Sequence, residues 1–77
     1  MNKLLFFAFL RDEVGQEEVM LDAAGKTVRE LKEVVTETYK LTKIDNVMTA
    51  INEEFAPDKE IIKAGDVIAF IPPVSGG

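Results

Sequence analysis

The residues best placed to do chemistry in this chain are Gly76 and Gly77, which close the segment FIPPVSGG and put an α-carboxylate at its tip. Glycine has no Cβ, so two in succession let the backbone thread a slot too narrow for any side chain and present the carboxylate from almost any direction. Just before them, Pro72 and Pro73 fix φ and hold their predecessors extended, which leads the chain straight away from the body. The six residues from Pro72 to Gly77 reach roughly 20 Å at about 3.3 Å each. A frayed terminus also carries small residues, and at about 7% glycine usage two terminal glycines arise by chance in roughly one chain in 200. The pair alone is therefore a weak signal. Joined to an apolar strand and two prolines, it reads as a working tail.

Little else in the chain is equipped for catalysis. Among its 77 residues there is no cysteine and no histidine, which removes disulfides, thiol nucleophiles, soft-metal sites and imidazole chemistry. No metal site is expected, and no glycine-rich phosphate loop is present. The paired carboxylates Asp12-Glu13, Glu17-Glu18 and Glu53-Glu54 read as solvated surface rather than as acid–base pairs. Fourteen acidic against nine basic residues give a net charge of −5, which opposes nucleic-acid binding and favours a partner with a basic surface. The opening MNKLLFFAFL holds one lysine and a short apolar run, followed at once by Arg11-Asp12-Glu13 and lacking a small-residue cleavage pattern, so no secretory leader is expected. No apolar stretch approaches the 18 or so residues of a membrane span.

The elements that must position the tail fit one small domain, a helix layered on a sheet, with little room for an enclosed pocket. Residues 3–9 (KLLFFAF) form an aromatic-rich run, apolar on both alternating sets, which predicts a central strand. Leu10 to Gln16 is a polar connection in which Gly15 supplies a turn with φ > 0, and Glu17 to Leu21 is a second strand antiparallel to the first. After a turn at Asp22 to Lys26, Thr27 and Glu30 match a capping box and start a helix. Val28, Leu31, Val34, Val35 and Tyr39 recur on one face of it, opposite Arg29, Glu30, Lys32, Glu33 and Glu37. Leu41 to Asn46 reads as a polar connection, Val47 to Asn52 as a third strand by alternation, and Asn52-Glu53-Glu54 as a turn. Phe55 stands oddly between that turn and Ala56-Pro57-Asp58, either as a satellite core residue or as an exposed anchor for a partner. Lys59 to Lys63 gives a short edge element, Ala64-Gly65-Asp66 a turn, and Val67 to Ile71 the last strand. The class is α+β, with the helix on one face of the sheet. Bulk favours Ile68 and Phe70 turning toward the helix, which leaves Val67, Ala69 and Ile71 on the open face at the root of the tail.

With these segments placed, LFFAFLRDEVG, TVREL, TAINEEF and above all AGDVIAFIPPVSGG resemble the small, sulfur-carrying subunit of molybdopterin synthase, a ubiquitin-like β-grasp family. The resemblance covers nearly the whole chain. It departs at Ile71, where an aromatic is common, and at Ser75, where threonine is common. It implies a mixed sheet with one main helix over residues 1–71 and a flexible, protruding functional tail over 72–77. It also implies a cycle on Gly77 in a cytoplasmic protein. A ubiquitin-activating-like adenylyltransferase uses ATP to turn the carboxylate into an acyl-adenylate, a sulfur donor replaces AMP, and the thiocarboxylate enters the large synthase subunit to give sulfur to precursor Z. Phe55, Ile71, Pro72, Pro73, Val74 and Ser75 are then the partner-binding residues, and Gly76 and Gly77 the reacting end. In this picture the chain binds no cofactor itself and supplies no catalytic side chain, only the carried group. The same fold and tail also suit a sulfur carrier of thiamine type or a ubiquitin-like protein modifier.

Overall fold

In a computed structural model, which describes residues 1–41 and 46–73, the apolar start of the chain pairs on both edges, as expected of a central strand. This first strand, β1 (Asn2–Phe6), is followed by α1 (Phe9–Val14), β2 (Glu18–Leu21), α2 (Val28–Tyr39), β3 (Met48–Ile51), β4 (Glu54–Phe55) and β5 (Val67–Ile71). The strands form one sheet in the order β2-β1-β5-β3-β4. β1 and β5 run parallel, and the other neighbours antiparallel. This mixed sheet with one main helix is the ubiquitin-like α+β architecture expected from the sequence. No helix among the described residues is long and apolar enough to cross a membrane.

The capping box forms as expected. The Glu30 N–H donates to Thr27 Oγ1 at 3.1 Å, and the Thr27 N–H donates to Glu30 Oε1 at 2.8 Å. That backbone donor, assisted by the Thr27 hydroxyl, holds the Glu30 carboxyl below the usual carboxylate range. From this start α2 turns Val28, Leu31 and Val35 into a core with Leu4, Phe6, Ile68 and Phe70. The Phe6 and Phe70 rings stack with centroids 5.5 Å apart, and Tyr39 meets Phe6 edge-on at 6.1 Å. Such ring pairs contribute about 0.5–1.5 kcal/mol each beyond their area burial.

Four local expectations are corrected. The first strand stops at Phe6 rather than at residue 9, because Ala8 adopts φ 54° and ψ −130° and the Leu10 N–H closes a turn onto the Phe7 carbonyl at 3.1 Å. Part of the expected polar connection is therefore helix α1, which buries Leu10 and ends on Gly15 at φ 85°. The short edge strand lies at Glu54–Phe55, whereas Lys59 to Lys63 contributes one isolated bridge from Ile61 to Thr27. Leu41, read as part of a polar connection, is a core residue, and most of that connection lies outside the described residues. Ala8 has the geometry of the first central residue of a type II′ turn, which favours glycine. Ala8→Gly is expected to raise stability by about 1 kcal/mol, since strain at Cβ outweighs the added freedom of the unfolded chain. Thermal unfolding checks this, and a variant that melts lower than the parent contradicts the strain.

Asn2 ties the start of the sheet to its far loops. It is fully buried, and its amide donates to the Lys63 and Asp66 carbonyls at 2.9 and 3.0 Å while its oxygen accepts from the Ala23 N–H at 3.0 Å. All its hydrogen-bonding directions but one are used, as burial of a side-chain amide demands. The loop that leads into β5, and so the path to the tail, is fixed to β1 from its first turn.

Candidate docking face and tail root

β5 decides which side chains the tail's root presents. Ile68 and Phe70 are fully buried, so Val67, Ala69 and Ile71 point to the face away from α2, in agreement with the expected parity. The strand register extends that face across the sheet. One row runs Glu18, Leu5, Ala69, Ala50, Phe55 through all five strands, and the next places Met48 beside Ile71. Two alanines at the centre make the middle of the row low, flanked by Leu5 on one side and Phe55 on the other. Lys3, Val67 and Met20 form the row on the other side of the first, away from Ile71, with Lys3 paired to Glu18 at 3.7 Å in an exposed and therefore weak ion pair. Met48, Met20 and Phe55 are exposed by 47%, 54% and 68%. Exposed apolar side chains gathered on one face in this way make it a candidate docking surface.

The expected site residues divide three ways. Phe55 is exposed and belongs to a paired strand, which excludes the satellite-core reading. Ile71 is half-buried on the open face, directly before the tail. Pro72 is buried while Pro73 is exposed. Val74, Ser75, Gly76 and Gly77 lie outside the described residues.

Met48, Leu5 and Ala50 complete the face and escaped sequence reasoning. The alternation of β3 does put Met48 and Ala50 on one side. That this side is shared with Ile71 depends on a β3–β5 register linking residues far apart in sequence. Asp66 was also read only as a turn residue. Its carboxylate accepts from the Lys63 N–H and from the Asn52 side-chain amide, both at 2.9 Å. The Lys63 donor first, and Asn52 second, hold that carboxyl below the usual range.

This arrangement offers a surface and an exit for the chain. Among the described residues no group of three or more His, Cys, Asp or Glu side chains is arranged to hold a metal ion. Comparison with known proteins agrees with the architecture, since the model of the ThiS family matches residues 4–77. The chain belongs to the ThiS family. It is similar to the molybdopterin synthase sulfur carrier subunit of Haemophilus influenzae, at 35% identity over 81 residues covering 100% of both chains. Among solved structures, small archaeal modifier protein 1 from Methanosarcina acetivorans has a TM-score of 0.79 at 26% identity, over 99% of this chain and 95% of that one. A chain in the complex of subunits 1 and 2 of molybdopterin-converting factor from Helicobacter pylori has a TM-score of 0.70, over 99% and 97%. At 24% identity that last likeness is one of fold. Ile71 closes β5 on the open face, two residues before the described residues end at Pro73.

Proposed function

We propose that this ThiS-family chain carries sulfur for molybdopterin formation, as the small subunit of molybdopterin synthase. The observation that carries the reading is the end-to-end similarity, at 35% identity, to a sulfur carrier subunit of that synthase. A carboxylate oxygen is a poor leaving group at neutral pH. It attacks the α-phosphorus of ATP on an adenylyltransferase partner, pyrophosphate departs, and the acyl-adenylate then exchanges AMP for sulfur from a donor. The Gly77 thiocarboxylate enters the large subunit, where its sulfur passes to precursor Z. With no Cys and no His in the chain, the catalytic groups for these steps come from the partners, and this domain contributes docking and positioning.

In this reading the open face docks on the large subunit and on the activating enzyme in turn. Ile71 and Phe55 are its apolar anchors, and Val74 enters a groove with the tail. A second reading, a ubiquitin-like modifier joined to lysines through Gly77, has the likeness to the Methanosarcina modifier in its favour. One reaction separates the two. The chain is incubated with a ubiquitin-activating-like adenylyltransferase of the same cell, ATP, sulfide and cell extract. Pyrophosphate release that requires Gly77, without new bands of higher mass on a denaturing gel, fits the sulfur carrier. A ladder of lysine-linked conjugates fits the modifier, and no pyrophosphate release with Gly77 intact contradicts both.

A further inference from the structure

Phe55 sits on a strand too short to place itself. β4 pairs two residues with β3, Ala50 opposite Phe55 and Ile51 opposite Glu54, and the following Ala56 N–H adds one bond to the Thr49 carbonyl at 2.9 Å. It is the edge of the sheet, and the turn that leads into it, Asn52-Glu53, holds two non-glycine residues at φ 51° and 71°. Asn52 tolerates left-handed backbone but Glu53 does not, so this hairpin gains from support outside itself.

That support comes from β5 and the turn before it. The Asn52 N–H donates to the Val67 carbonyl at 2.8 Å, and the Val67 N–H donates back to Asn52 Oδ1 at 3.0 Å. Asn52 Nδ2 donates to Asp66 Oδ1 at 2.9 Å, and the other oxygen of Asp66 accepts from the Lys63 N–H at 2.9 Å. The Asp66 carbonyl in turn accepts from the buried Asn2 amide. An unbroken set of hydrogen bonds therefore runs from the first residue of β1, through the 63–66 turn, to the turn of the hairpin that carries Phe55.

We infer that Asn52 and Asp66 form a clamp that positions the Phe55 hairpin on the open face for docking. Neither residue touches the partner in this scheme; both are positioning residues that act through Phe55. The inference deepens the docking reading above and rests on it for its binding arm, whereas the clamp itself is tested on the isolated chain.

The test begins with Asn52→Gly, which keeps the left-handed turn accessible while removing both side-chain bonds of Asn52, from the Val67 N–H and to Asp66. Amide hydrogen exchange on the free protein is expected to speed up at Ala56 by about tenfold, with β1 and β5 still protected, because the opening is local. Asp66→Asn retains one acceptor oxygen for two donors and is expected to give a smaller change in the same direction. Ala56 exchange at the parental rate in folded Asn52→Gly overturns the clamp. Calorimetric titration against the large synthase subunit then compares Asn52→Gly, Phe55→Ala and the double variant. Each single variant is expected to weaken binding by about fivefold or more, and the double variant to bind no more weakly than Phe55→Ala alone, since positioning a missing ring is worth nothing. Full additivity overturns the route through Phe55. Parental affinity for Phe55→Ala, with Ala56 exchange still accelerated in Asn52→Gly, overturns Phe55 as an anchor and with it the docking role of the clamp. The exchange result distinguishes that failure from a failure of the clamp.

Discussion

Removing Gly77, or adding one residue after it, is expected to abolish sulfur transfer while leaving the unfolding temperature nearly unchanged. In the carrier reading the reacting group is the terminal carboxyl itself, so deletion moves it back by one residue and extension moves it forward, a displacement of about 3.5 Å in either case. Misplacement of a reacting atom by as little as 1 Å costs on the order of 10²-fold, so a shift of a whole residue removes detectable turnover. The core of the described residues includes Leu4, Phe6, Val28, Leu31, Val35, Ile68 and Phe70, all of which the truncation leaves in place. Molybdopterin formation assayed with the large subunit, alongside thermal unfolding of the free chain, separates the two effects. A truncated chain that still supports formation contradicts the carrier reading. A truncated chain that unfolds shows that the end of the chain contributes to the fold.

The second large effect is expected at Ile71. Replacing it with Asp should weaken association with the large subunit by about 2 kcal/mol, near 30-fold, the range for a central interface residue. The isolated domain should keep its fold, because Ile71 lies on the open face beside Met48 and an aspartate there stays in water in the free protein. In the proposed complex the same carboxylate would be desolvated among apolar side chains without a partner. Calorimetric titration reads the affinity and circular dichroism reads the fold. Loss of structure in the free variant makes Ile71 a core residue after all, and parental affinity in a folded variant removes it from the interface.

Much of this arrangement was legible in the sequence because its signals are local. Thr27 and Glu30 are three residues apart, so their reciprocal caps declare the start of α2, and the Val28, Leu31, Val35 spacing declares its buried face. The parity of β5 followed from the bulk of Ile68 and Phe70. What escaped depends on long-range pairing or on a conformation the residue type argues against. KLLFFAF reads as one strand, and nothing in Ala8 announces the left-handed turn that ends it and opens α1. Asn52 and Asp66 are 14 positions apart and look like ordinary turn residues until β5 is laid beside β3. The open face was half visible: Ile71 and Phe55 stood out by chemistry, whereas Met48, Leu5 and Ala50 join them only through the register. Pro72 was read as a spacer by its type, and its burial reflects packing that no local pattern encodes.

The carrier account is tested most directly by the chemistry of the terminal carboxyl after incubation with the activating enzyme, ATP and sulfide. Whole-chain mass alone is ambiguous, because the three methionines can each gain an oxygen, which adds nearly the same mass as exchanging oxygen for sulfur. Cleavage after Lys63 releases residues 64–77, a fragment with neither methionine nor cysteine, so any thiol-type reactivity in it belongs to Gly77. The account predicts that this fragment is heavier by the difference between sulfur and oxygen and takes up one alkyl group from iodoacetamide. A fragment of unchanged mass that remains unlabelled, from protein whose Gly77 is intact, contradicts it.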